Sequence, residues 1–214
     1  MTILLPDEFK SYDKDGYLDA EVKDGVLHLY RSSTFRKVMY DLTYSIYGDT
    51  CMYCKKNKAN SIDHRVPQDF GGPTITNNLY PTCKDCNSLK SNMFEDEFYK
   101  YLSFSDTHDR RQYQKSLKPL QEDRRFGTVP SIPGDWISKK KLNVIMVKFY
   151  IDEPLGSKYK KLKKFFSTWK RHKNPVIISS NGVLLDGFNT IFIGKLENRT
   201  DYDQIILDNV FVDS

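Results

Sequence analysis

All four cysteines of this 214-residue chain sit in two short pairs, Cys51-Met-Tyr-Cys54 and Cys83-Lys-Asp-Cys86, with 28 residues between them. No other feature restricts the fold as much. Four thiolates held about 2.3 Å from one ion complete a tetrahedral shell, which is the structural zinc arrangement. Cys51, Cys54, Cys83 and Cys86 fill that shell by themselves, so no position stays open for water. Zinc here is expected to staple a scaffold and to do no chemistry. The opening "MTILLPDEFK" lacks the basic and apolar regions of a secretory leader. The chain therefore reads as intracellular, where paired cysteines favour metal over disulfides.

A staple matters for what it holds together. Between the pairs lies "DHRVPQDFGG", and the second pair leads into "CNSLKS". Asp63 is a hard oxygen donor, and the Asn87 amide offers another oxygen. Such donors suit Mg²⁺, which takes a few protein oxygens and keeps waters and phosphate in its shell. His64 titrates near neutrality and is able to take a proton from water. Neighbours in a strand point to opposite faces. The Asp63-His64 pair is thus expected at a strand end or bend, where both can approach one phosphate.

Charge supports a polyanionic partner. The net charge is +5, but residues 1–30 carry three Lys/Arg against seven Asp/Glu, and residues 174–214 carry two against six. The middle then holds 28 basic and 15 acidic residues. A basic belt between acidic ends is the footprint of a nucleic-acid binder. The stretch "SKYKKLKKFFSTWKRHK" has no acidic residue from Ser157 to Asn174. Its Tyr159, Leu162, Phe166 and Trp169 recur at helical spacing, with Lys160, Lys161, Lys163, Lys164, Lys170 and Arg171 as the cationic remainder. Arg36, in the first turns of a helix expected from Ser33 to Gly48, and Arg65 and Lys90 are further candidate DNA contacts, with a solvated surface charge as the alternative for each. No run of about 18 apolar residues exists, so no membrane span is expected.

The remaining chain is read from its periodicity. "YLDAEVKDGVLHLY" gives a hairpin turning at Asp24-Gly25, and "DKDG" at 13–16 is a turn. A helix should start near Lys84 and run toward Phe94, with a second apolar run over "FEDEFYKYLSF". Residues 106–134 read as a linker or extended arm, and "WISKKKLNVIMVKFYI" leans to helix. The tail alternates short apolar runs with Asn-Gly and Asp-Gly turns, as a small β-rich unit does. The expected division is 1–32 hairpin, 33–105 core, 106–173 linker and basic helix, and 174–214 C-terminal unit.

The stretch of residues 33–95 resembles the HNH endonucleases. The likeness is carried by "DHRVPQDFGG" and "NNLYPTCKDCNSLKS" with the flanking cysteines. It implies an α+β protein with a ββα-metal core. It also implies that Asp63 and Asn87 bind the catalytic Mg²⁺ or Mn²⁺, that His64 is the general base, and that Asn78 holds the loop beside it. The ending in Asn87 makes this an H-N-N variant. The activity implied is hydrolysis of DNA to 5′-phosphate and 3′-hydroxyl ends, in a phage, homing, restriction or defence setting, within the cytoplasm of a bacterial or phage-infected cell. "NPVIISSNGVLLDGFNT" has a fainter likeness to the ParB-like fold, although Phe188-Asn189-Thr190 stand where that family has His and Arg. Two other readings stay open: a zinc-ribbon protein that binds DNA without cutting, and a regulator whose tail senses a ligand. A homodimer is compatible with the sequence.

Overall fold

The computed structural model describes residues 11–14, 17–126, 133, 157–169, 175–196 and 203–213. The chain starts in a hairpin. Strand β1 (Ser11–Lys14) pairs antiparallel with β2 (Tyr17–Lys23), and β2 pairs with β3 (Val26–Leu29). The β2–β3 turn falls at Asp24-Gly25, both at positive φ (50° and 75°), the left-handed backbone a two-residue hairpin turn requires.

Helix α1 (Phe35–Tyr47) follows a 3-10 turn at Ser32–Thr34. Ser33 therefore lies in that turn and is not the cap; the N-cap is Thr34, which makes no side-chain cap bond. The helix ends as expected at Gly48, whose φ of 75° terminates it. Its buried face is Phe35, Val38, Met39 and Leu42.

Next comes the stapled segment. Strand β4 (Ser61–His64) pairs antiparallel with β5 (Leu79–Thr82), and α2 (Lys84–Lys90) follows directly. This is a β-β-α unit with a cysteine pair on either side. Helix α2 stops at Lys90, because Ser91 takes a φ of 48°; the chain restarts as α3 (Glu95–Ser103). The Glu97 carboxylate caps α3 by accepting from the Phe94 N–H at 2.8 Å.

The extended arm expected at 106–134 is corrected by the structure. Residues Thr107–Phe126 form α4, a 20-residue helix. It looked like linker because only Leu117 of it is buried and Pro119 sits inside it. Leu117 joins the cluster of Tyr53, Phe98 and Tyr101, and Arg124 donates to Glu97 at 2.6 Å and lies 3.8 Å from the centre of the Phe94 ring. Helix α5 (Ser157–Trp169) fits the expected basic helix, whereas the helix expected over 136–151 lies outside the described residues.

The C-terminal unit is β6 (Val176–Ser179), β7 (Leu184–Asp186), α6 (Phe188–Leu196), β8 (Gln204–Leu207) and β9 (Val210–Val212). Strands β7, β6 and β8 form one sheet in that order. Strand β9 leaves it and pairs in parallel with β3, so the hairpin sheet runs β1-β2-β3-β9. The two chain ends thus share one sheet and one core: Leu27, Leu29, Phe35, Leu42, Ile205 and Val210 all belong to a single buried cluster. The protein is α+β, with small sheets and helices around the β4–β5–α2 unit. Among the described residues no helix is long and apolar enough to cross a membrane.

Candidate metal and active site

The cysteines converge. The sulfurs of Cys51, Cys54, Cys83 and Cys86 all lie within 4.8 Å of one another, and none is in a disulfide. That spacing fits four thiolates around one tetrahedral ion, so the residues present suit zinc. The surroundings help to define the ligands. Asn57 donates its amide toward Cys83 Sγ at 3.8 Å. Backbone N–H groups, chiefly that of Asn57, hold the Cys54 thiol down at about 6, while burial pushes Cys86 up. Tyr53 lies inside the first knuckle, and its ring packs edge-on to Phe98 at 4.9 Å and Tyr80 at 6.0 Å.

Tyr53 connects the staple to the candidate site. Its hydroxyl donates to Asp63 Oδ2 at 2.7 Å. The same oxygen is 2.8 Å from Lys90 Nζ, and Lys90 also donates to the His64 carbonyl at 2.8 Å. Asp63 is 6 % exposed and Lys90 is 0 % exposed. The expectation that Lys90 contacts a phosphate is therefore corrected: its ammonium is committed inside the protein to β4. Burial works against both charges, pushing Asp63 up and Lys90 down, and each group opposes that shift in the other. Burial, then Asp63, pushes Tyr53 up, so its phenol stays a donor.

His64 is the last residue of β4, at the strand end where the sequence put it. Its Nε2 is 3.1 Å from Thr74 Oγ1, and Gln68 Nε2 reaches the same hydroxyl at 3.2 Å. The two neighbours thus meet different elements: Asp63 faces Lys90 of α2, and His64 faces the loop. Asn87, one turn before Lys90, donates its amide to Ser61 Oγ at 3.2 Å and to Ile62 O at 3.5 Å. Its amide oxygen takes no part in those bonds.

Asn78 ties the two ends of the loop between β4 and β5 together. Asn78 is fully buried. It accepts from the Val66 N–H at 2.8 Å and donates to Val66 O at 3.2 Å and Pro73 O at 2.9 Å. The neighbouring Asn77 offers its carbonyl to Arg65 at 3.0 Å. Gly72 passes so close to Val66 that a Cβ there would lie 1.8 Å from its carbonyl oxygen. The glycine pair thus serves a close approach of backbone as well as a turn, since Gly71 has a φ of 90°.

The expected DNA contacts separate into three groups. Arg36 pairs with Asp186 at 3.1 Å, and Arg65 with Glu95 at 2.6 Å, the latter also lying over the Tyr80 ring at 4.9 Å. Both are partly exposed, but each has its charge answered within the chain. Lys160, Lys161, Lys163 and Lys164 are exposed on α5. Lys170 and Arg171 lie outside the described residues. Tyr53, Thr74 and the Arg124–Glu97 pair escaped sequence reading. Only the position of Tyr53 between two cysteines gave any hint, since partners 10 to 27 residues away cannot be paired from spacing.

Residues 51–103 match the model of the HNH endonuclease family. The match takes in both cysteine pairs, β4, β5, α2 and α3. No curated protein and no solved structure matches the chain. Nuclease chemistry is what the family match carries for this segment.

Proposed function

We propose that the protein is a divalent-metal-dependent DNA endonuclease whose active residues are Asp63, His64, Asn78 and Asn87. The observation that carries this reading is the β4–β5–α2 unit itself. Within a segment matching HNH endonucleases, it sets an Asp-His pair at a strand end, tethers the adjoining loop through Asn78, and turns Asn87 of α2 toward the same strand.

Asp63 and Asn87 would hold the Mg²⁺ or Mn²⁺. Their donor set fits: the Tyr53 and Lys90 bonds both fall on Asp63 Oδ2, leaving Oδ1 outside them, and the Asn87 amide oxygen is outside its own two bonds. A hard cation bound there supplies Lewis-acid stabilisation of charge at the scissile phosphate. His64 takes a proton from water; the water oxygen bonds to phosphorus as the bond to the 3′ oxygen breaks, and the departing oxygen takes a proton from solvent. The products are 5′-phosphate and 3′-hydroxyl ends. Thr74 orients the imidazole through its 3.1 Å contact, and Asn78 keeps the loop that carries Thr74 in place. The lysines of α5 hold the DNA backbone, which makes binding salt-dependent. A phage, homing or defence setting is in keeping with a small nuclease of this design.

One observation favours a second reading, DNA binding without cleavage: Lys90 already gives Asp63 a cation from within the chain. Incubation of plasmid DNA with the zinc-loaded protein in Mg²⁺, Mn²⁺ or EDTA, followed by end-mapping, decides between them. Cleavage with either ion and not with EDTA, leaving 5′-phosphates, is expected. Binding with no cleavage in all three would establish the second reading.

A further inference from the structure

A fully buried lysine, on the helix that also carries Asn87, reaches back to the strand bearing Asp63 and His64, and the reaction described above gives it no part. Its ammonium makes two bonds to that strand, one to Asp63 Oδ2 and one to the His64 carbonyl, each at 2.8 Å. Tyr53 arrives from the cysteine knuckle and donates to the same Oδ2 at 2.7 Å. Two donors from different elements thus converge on one oxygen of a carboxylate that is 6 % exposed.

We propose that Lys90 and Tyr53 are positioning residues: together they fix the Asp63 carboxylate with Oδ2 turned inward, so that Oδ1 is presented to the divalent ion. A carboxylate free to rotate would offer either oxygen and lose conformational entropy on binding. One whose inner oxygen is already bonded loses less, and supporting bonds of this kind orient metal ligands in general. The Lys90 bond to the His64 carbonyl adds a second effect. It fixes the backbone carrying the imidazole to the helix carrying Asn87, so both sides of the site share one frame. Tyr53 extends that frame to the zinc staple, because it lies between Cys51 and Cys54.

The opposite outcome has a physical basis of its own. An ammonium beside a carboxylate repels a divalent cation, so Lys90 would be a competitor if the ion needed Oδ2. The inference rests on the nuclease reading, and the test separates the two. Mn²⁺ binding is measured by calorimetry on the zinc-loaded full chain and on its Lys90→Met, Tyr53→Phe and Asp63→Asn variants, with zinc content determined for each. The expected result is weakening of Mn²⁺ binding by at least tenfold in Lys90→Met, by several-fold in Tyr53→Phe and beyond detection in Asp63→Asn, at unchanged zinc content. Raising Mn²⁺ should then restore the cleavage rate of Tyr53→Phe. Unchanged or tighter Mn²⁺ binding in Lys90→Met overturns the proposal, as does unchanged binding in Tyr53→Phe, which alone decides if Lys90→Met does not fold. Loss of Mn²⁺ binding in none of the variants, Asp63→Asn included, would instead remove the nuclease reading itself.

Discussion

Among the described residues, two of the buried clusters have opposite character. The first gathers Ala20, Leu27, Leu29, Val38, Leu42, Ile177, Ile205, Leu207 and Val210 from the hairpin, α1 and the C-terminal unit, and it reaches the β4–β5 segment through Ile75 and Leu79. It is almost wholly aliphatic and owes its stability to area removed from water. The second holds Cys51, Cys83 and Cys86 with Tyr53, Met93, Phe98, Tyr101 and Leu117. It is smaller, rich in thiols and aromatic rings, and lies beneath the candidate site. The region of the candidate site adds to apolar burial a cysteine cluster able to hold a metal, ion pairs and ring contacts, which place side chains more specifically than aliphatic packing does.

The largest test of that contrast is removal of zinc. Structural zinc contributes on the order of 10 kcal/mol in small domains. Stripping it with a chelator, or replacing Cys83 with Ser, should abolish amide-exchange protection through residues 51–103. Protection in β2, β3, β6 and β8 should persist. Joint loss in both regions would merge the two clusters into one cooperative unit.

Leu27→Ala attacks the other side. Leu27 is fully buried in the first cluster, so the cost should be about 2–5 kcal/mol in chemical denaturation, with zinc still bound. Release of zinc along with that loss would contradict the separation.

Asn78→Ala is smaller in energy and larger in consequence. It leaves the Val66 N–H and two carbonyls unpaired, at about 1–3 kcal/mol for a buried group stranded in this way. The expected result is a modest fall in Tm and a much steeper fall in cleavage, because Thr74 loses its fixed distance to His64. Equal proportional losses in both would reduce Asn78 to a scaffold residue. Replacing Lys160, Lys161, Lys163 and Lys164 by Glu touches neither cluster. Stability should stay within about 0.5 kcal/mol, while DNA affinity and its salt slope both drop. An unchanged salt slope would leave the α5 lysines as an ordinary solvated face.

Sequence reading reached the second cluster's ligands more readily than its supports. Four cysteines at fixed spacing, an Asp-His pair and the Asn-Leu and Cys-Asn steps are local patterns, and the chain's own order displays them. The positive-φ turn at Asp24-Gly25 and the end of α1 at Gly48 were legible for the same reason, since each is set by the residue in place. Helix α4 was not, because only Leu117 of its 20 residues is buried and its polar fastening, the Arg124–Glu97 bond, spans 27 residues. The parallel pairing of β9 with β3 joins residues about 180 apart, a choice that no local signal expresses. Lys90 shows the remaining difficulty. A lysine after Asn87 reads as a surface cation, and only burial against Asp63 assigns it to the interior.

The decisive comparison is the zinc-loaded wild type against His64→Ala, assayed side by side for binding and for cleavage of plasmid DNA in Mn²⁺. The His64 side chain contacts Thr74, which belongs to neither buried cluster, so the variant should bind DNA as the parent does and fail to cut it. Equal cleavage by the two proteins would show that the imidazole takes no part in the chemistry and that the β4–β5–α2 unit is not the site of hydrolysis.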